Sequence, residues 1–212
     1  MKHIVSFVIA CLICIAYPAT TIAQENYQIP EEMPINNGEL DWWTYNDKFG
    51  EIKLEKKELI IKSKKGKKWG LEQPGAMTYA KVPINMDGDF YISITFKKPS
   101  KIDEDYNFGF IFDVTNENFF QTILFNKDFS YYANERAKYK YIKKGKDLWT
   151  VAIERRNGGD YIVTLNGLEI RTIPSTFKFS SPSVGIYVKN KCEVKATHVA
   201  YIQWAAAPES NE

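Results

Sequence analysis

Histidine and cysteine are scarce in this chain, with two and three residues in 212. His3, Cys11 and Cys14 fall in an amino-terminal segment that reads as a removable leader, so His198 and Cys192 are what remain. One histidine and one cysteine on the same strand fall short of the three or four ligands that a zinc site needs. A Ser-His-Asp or Cys-His centre would have to use His198. The register Cys192, Val194, Ala196, His198, Ala200, Ile202 instead predicts a packed, hydrogen-bonded histidine on an apolar face. A lone cysteine leaves no internal disulfide, so packing must hold an exported domain together. Charge of one sign is also lacking: 28 Lys and Arg stand against 26 Asp and Glu, a net +2 that falls to +1 without Lys2. That balance argues against a dedicated nucleic-acid partner. Neither a phosphate-cradling glycine loop nor an HExxH motif occurs. Beyond the leader no apolar run is long enough for a transmembrane segment, and helical periodicity is almost missing.

The leader itself is well formed. Met1-Lys2-His3 is a basic start, Ile4 to Ala16 is apolar, and Tyr17 to Ala23 supplies small residues before a cut at Ala23/Gln24. Val8-Ile9-Ala10-Cys11 resembles a lipoprotein cleavage box, but it lies very early and twelve mostly apolar residues still follow. The expectation is a signal peptide over 1–23 and an exported protein, whether periplasmic, on the outer surface or secreted. Residues 24–38 carry two prolines and several acids without periodicity, which predicts a linker or an N-terminal strap. A single domain is expected over 39–204, and a small polar tail, disordered, over 205–212.

What is present in quantity is strand. Phe90, Ile92, Ile94 and Phe96 alternate with Tyr91, Ser93, Thr95 and Lys97, the period of a strand with one apolar face. Thirteen such segments can be marked between Ile52 and Trp204. Asn166-Gly167 and Asn157-Gly158 close hairpins between them, since both pairs accept the positive φ of a type I′ turn. Trp42 and Trp43 open the domain and should split, one inward and one outward. Trp149 alternates with Val151 and Ile153 and belongs to the core. Trp204, at the end of the last strand, is placed to seal the two sheets. The expected fold is all-β, a two-sheet antiparallel β-sandwich.

Several segments in order carry a resemblance: Phe108-Gly109-Phe110-Ile111-Phe112, then Asn118 to Phe125, Trp149 to Arg155, Tyr161 to Gly167, and Val184-Gly185-Ile186-Tyr187-Val188 before a long last strand. This pattern resembles the concanavalin A-like lectin/glucanase jelly roll, and within it the bacterial 3-keto-disaccharide hydrolase and laminin-G-like domains. The resemblance covers residues 41–204. It implies a jelly roll and, at the level of activity, either sugar binding or sugar hydrolysis.

Sugar hydrolysis on such a fold needs two facing carboxyl groups. The laminarinase-type strand pattern Glu-x-Asp-x-x-Glu is absent. The acids that a hydrolase would have to draw on are Asp103, Glu104, Asp105, Asp113, Glu117 and Glu135, which the sequence places in charged connections and beside a hairpin. Asp87 and Asp89 flank Gly88 and are candidate ligands for a structural calcium ion, with a tight turn explaining them equally well. No other cofactor is implied. Aromatic residues, 15% of the chain, are the candidates for binding. Tyr131 and Tyr132 are adjacent, Tyr139 and Tyr141 alternate with lysines, and Trp69 follows the lysine-rich stretch Lys64 to Lys68. With Asn134 and Arg136 nearby to reach hydroxyl groups, they suit a stacking platform for a pyranose ring. The expected partner is a glycan or a cell-surface protein, the alternative to sugar chemistry being an envelope assembly or inhibitory protein whose 24–38 strap joins another protein.

Overall fold

The computed structural model describes residues 27–45, 49–64, 75–97, 108–116, 119–125, 131–133, 138–139, 147–189 and 191–205. These residues form two antiparallel sheets and no α-helix. One sheet has the order β13 (Leu168–Ile173), β12 (Tyr161–Leu165), β11 (Leu148–Arg155), β6 (Phe90–Lys97), β15 (Glu193–Gln203), β4 (Leu59–Ser63), β3 (Gly50–Leu54). An eighth strand, β1 (Met33–Pro34), also pairs with β15. The other sheet has seven strands in the order β10 (Lys138–Tyr139), β9 (Tyr131–Ala133), β8 (Phe119–Phe125), β7 (Phe108–Asn116), β14 (Ser183–Val188), β5 (Ala76–Lys81), β2 (Trp42–Tyr45). The fold is the all-β, two-sheet antiparallel sandwich that the alternation predicts.

Between the sheets lies one core. Phe90, Ile92, Ile94 and Phe96 of β6 join Phe108, Phe110 and Phe112 of β7, with Val151, Ile153 and Trp149 of β11 and Val184, Ile186 and Val188 of β14. Trp149 sits at its aromatic centre, 5.1 Å from the Phe125 ring and 6.0 Å from Phe96. Trp42 packs on this core from β2, whereas Trp43 is exposed, so the pair divides as alternation requires. Asn166 and Gly167, with φ of 50° and 79°, and Asn157 and Gly158, with 53° and 61°, make the two expected positive-φ turns.

Two expectations on β15 need correction, and they share one cause. The pairing of β15 with β6 slips between Ala196 and His198, a β-bulge centred on Thr197. An extra residue reverses the facing of everything after it. Val194, Ala196, Val199 and Tyr201 therefore serve the core, while Ala200, Ile202 and Trp204 pack with Tyr91 and Ala152 on the outside of the sheet. His198 is half-exposed rather than packed on the apolar face, its Nδ1 2.9 Å from Thr197 Oγ1 and 4.0 Å from Glu32. Trp204 does not seal the sheets. It lies on the outer face of the eight-stranded one.

Residues 27–35 follow that outer face. Met33 and Pro34 pair with Val199 and His198, Ile35 enters the core, and the chain crosses to β2 in the other sheet, with Trp42 Nε1 donating to Ile35 O at 3.1 Å.

Candidate functional site

An antiparallel sheet with one face in water shows polar side chains there. The seven-stranded sheet departs from this rule. Its registers align an outward row Trp43–Tyr79–Gly185–Ile111–Thr122 across five strands. Beside it runs a second row, Met77–Tyr187–Gly109–Leu124, that continues in backbone register to Tyr132 and Lys138. Met77, Tyr79, Ile111 and Val114 form an apolar cluster separate from the main core, with Phe120 and Tyr187 packed against it. The Phe120 and Tyr187 rings are 6.3 Å apart. Trp43 is 55% exposed at the edge of this face, and Tyr79 beside it only 4%.

Two glycines shape the surface. At Gly185 a Cβ would stand 2.1 Å from Thr78 O, and at Gly109 2.5 Å from Ile123 O, so neither position accepts a side chain. The two lie diagonally on neighbouring strands, and the space a side chain would need is already filled by Thr78 and Tyr79 at Gly185 and by Ile123 and Leu124 at Gly109. Tyr187 is fixed at its far end, where its hydroxyl accepts the Gly75 N–H at 3.1 Å. The exposed Trp43 indole at the rim of this face suits stacking against C–H groups of a ring-shaped ligand.

The tyrosines expected to bind divide between two registers. Tyr131 pairs with Phe125 and Tyr139, in the row that carries the core residues Phe108 and Val188, whereas Tyr132 pairs with Leu124 and Lys138, in the outward row. Trp69, Asn134, Arg136 and Tyr141 lie outside the described residues, as do Asp103, Glu104, Asp105, Glu117 and Glu135. Trp43, Tyr79, Tyr187 and Phe120 are the members of the face that alternation alone does not pick out. A signal for them exists in the chain: Ala76 to Ala80, Phe108 to Phe112 and Val184 to Val188 have little polar character on either face, as strands covered on both sides do.

Asp113 is the one acid of the hydrolase set within the described residues. It sits at a bulge with φ of 53°, buried, and its Oδ1 accepts the backbone N–H groups of Ser180 and Ser181 at 2.7 and 2.8 Å. Burial pushes its carboxyl above the usual carboxylate range, while those two donors pull it back. Its geometry is that of a cap on the 180–183 loop.

Asp89 is likewise committed to a turn. It is 6% exposed, and its oxygens accept from Asn157 N at 2.7 Å and Gly158 N at 2.8 Å. Arg155 completes the arrangement, donating to Gly159 O at 3.0 Å, Gly158 O at 2.9 Å and Asp87 O at 2.5 Å. Asp87 itself is exposed and pairs with Lys178 at 3.3 Å. Among the described residues no three His, Cys, Asp or Glu side chains gather as a metal site, and no helix is long and apolar enough to cross a membrane.

No family model and no curated protein matches this chain. Solved structures do. A sialidase matches over 82% of this chain at 12% identity, with a TM-score of 0.55. What is shared is the fold. The chain spans 18% of the sialidase's own length. The carbohydrate-binding module CBM66 from Bacillus subtilis matches over 76% of this chain and 94% of its own, at 12% identity and a TM-score of 0.48. A protein of unknown function with a galectin-like fold, also from Bacillus subtilis, matches over 79% and 91%, at 11% identity and a TM-score of 0.48.

Proposed function

We propose that this chain is an exported, non-catalytic carbohydrate-binding domain of the concanavalin A-like jelly-roll kind, whose ligand stacks on Trp43 at the edge of the seven-stranded sheet's outer face. The observation that carries the proposal is Trp43, whose ring is 55% exposed at the edge of an apolar, aromatic outward face whose Met77, Tyr79 and Ile111 are buried. Trp43 supplies the accessible stacking ring. Tyr132 shares the backbone register of Leu124 in that face, and Tyr141, Trp69, Asn134 and Arg136 stand as further ligand-binding candidates from the sequence. Cleavage at Ala23/Gln24 delivers the domain to the envelope or beyond, where glycans are met. The sialidase likeness supports the sandwich and leaves the ligand to the surface chemistry.

The test is a titration of the mature chain, Gln24 to Glu212, with a panel of polysaccharides, read by tryptophan fluorescence while reducing-sugar release is followed in the same wells. Saturable binding without release is expected. Trp43→Ala should weaken it by about tenfold, the loss of one stacked ring, with the fold intact because Trp43 faces solvent. Release of reducing ends would replace the reading with a hydrolase. Silence from a folded protein across the panel would reject it.

A further inference from the structure

The eight-stranded sheet is covered over its middle and open at one side. Residues 27–34 follow the middle. There the Tyr27 hydroxyl donates to Asn157 Oδ1 at 2.6 Å, Trp204 Nε1 donates to Gln28 O at 3.2 Å, and Glu32 accepts from the Thr95 hydroxyl at 2.7 Å. The small row Ala152–Ser93–Ala200 lies between these anchors. The open side is β3. Among the described residues no strand pairs with its outer edge. The opposite edge strand of the same sheet, β13, is interrupted by a register shift between Val163 and Thr164 of its neighbour, a bulge of the kind that blunts an edge. By contrast β3 keeps unbroken register with β4, from Gly50 opposite Ser63 to Leu54 opposite Leu59.

Hydrogen-bond phase fixes which backbone groups that edge offers. Lys64 N donates to Phe49 O, and Glu55 N to Glu58 O, both at 2.8 Å. Bonded and non-bonded pairs alternate along an antiparallel ladder, so Phe49, Glu51, Lys53 and Glu55 turn their backbone groups to β4. Gly50, Ile52 and Leu54 turn theirs to the open edge. The side chains of the same strand alternate across the sheet. On the inner side a Cβ at Gly50 would meet Ala76, Ile52 packs on the core, and Leu54 is left 46% exposed. On the outer side Glu51 and Lys53 are both exposed and pair with each other at 2.8 Å.

Charge then selects one partner and one register. A second β3, run antiparallel and centred on Glu51 or on Lys53, would set like charges face to face. Centred on Ile52, it sets Glu51 of each copy opposite Lys53 of the other. In that register the two Ile52 side chains meet, and each exposed Leu54 lies opposite a Gly50 that has no side chain to collide with it. The outward N–H and C=O groups of Gly50, Ile52 and Leu54 all find partners, so the edge is complementary to itself. We propose that two copies of this chain join through β3, antiparallel and centred on Ile52, so that their eight-stranded sheets run on into one another. The two-fold axis is perpendicular to the joined sheet, and the seven-stranded sheets of both copies therefore look the same way.

Charge reversal tests the surface, and a disulfide tests the register. In sedimentation the mature chain should show a dimer whose share rises with concentration. Glu51→Lys or Lys53→Glu alone should weaken that dimer about tenfold, and the double reversal should restore it. Both side chains are exposed, so the denaturation midpoint should stay put in all three variants. Chains carrying Glu51→Cys alone and Lys53→Cys alone are then mixed and oxidised gently. A mixed disulfide should form, because opposite residues of a non-bonded pair have Cα atoms about 4.5 Å apart. Either variant by itself should cross-link severalfold less, and the native Cys192 is buried and stays out of the reaction. A native chain that remains monomeric throughout the concentration series overturns the proposal. So do single reversals that dimerise as well as the native chain, or a double reversal no better than the single ones. A disulfide yield no greater from the mixture than from either variant alone overturns it as well.

Discussion

The outer faces of the two sheets have been made quiet in different ways. On the eight-stranded sheet, small residues at the centre are bordered by hydroxyls and charges, and the strap anchors at both ends with hydrogen bonds. Its far side, over β3 and β4, is a ladder of opposite charges in which Glu51 pairs with Lys53 and Lys62 with Glu193. On the seven-stranded sheet the outward side chains are apolar and aromatic, and Trp43 is left in solvent. A face closed by directed polar contacts is specific for the segment that fills it. A face that ends in one exposed indole offers a stacking ring and leaves the choice of hydroxyl contacts to the ligand.

Substitutions can break this contrast, beginning with the largest effect. Gly185→Ala puts a methyl group against the Thr78 carbonyl and should cost about 3 kcal/mol, seen as a lowered denaturation midpoint, together with any ligand binding on that face. Asp89→Ala leaves the Asn157 and Gly158 N–H groups without their Asp89 acceptor and loosens the turn on which Tyr27 is held. A loss of about 2 kcal/mol and rapid proteolysis of residues 24–34 are expected, with binding at the seven-stranded face retained. Trp43→Ala should move stability by no more than about 0.5 kcal/mol, so its effect on binding can be read cleanly.

The smallest effect concerns pH. Burial keeps the Asp113 carboxyl above its ordinary 3.8, so the folded state holds this proton more tightly than the unfolded one. Its contribution therefore favours folding more as pH falls through the raised value toward 3.8, opposite to a salt-bridged acid. Asp113→Asn keeps an oxygen for Ser180 and Ser181 and tolerates the positive φ. It should flatten that part of the stability profile, measured by urea titration across the acidic range.

The sandwich was legible because alternation is a local signal. Phe90 to Phe96 and Trp149 to Ile153 announce their inward faces, and Asn-Gly pairs announce their turns. His198 and Trp204 were not placed correctly, because the bulge at Thr197 reverses alternation and neither glycine nor proline marks it. The strap's role was equally hidden: Tyr27 reaches Asp89 and Asn157 across 62 and 130 residues, a pairing no window of sequence contains. The aromatic face was half legible. Its strands could be recognised as covered on both sides, but joining Trp43 to Tyr79 and Tyr187 needs the order β2–β5–β14, which only pairing across the sheet provides.

The place of β15 has a consequence for how the molecule comes into being. It is the last of the described strands, yet it stands inside its sheet, with β6 along one edge and β4 and β1 sharing the other. A chain emerging from the ribosome therefore carries three unfinished seams, and its first strand waits for its last. Closure is a late, long-range event. A chain cut short before Glu193 would expose the edges of β6, β4 and β1 together, inviting self-association rather than yielding a smaller domain.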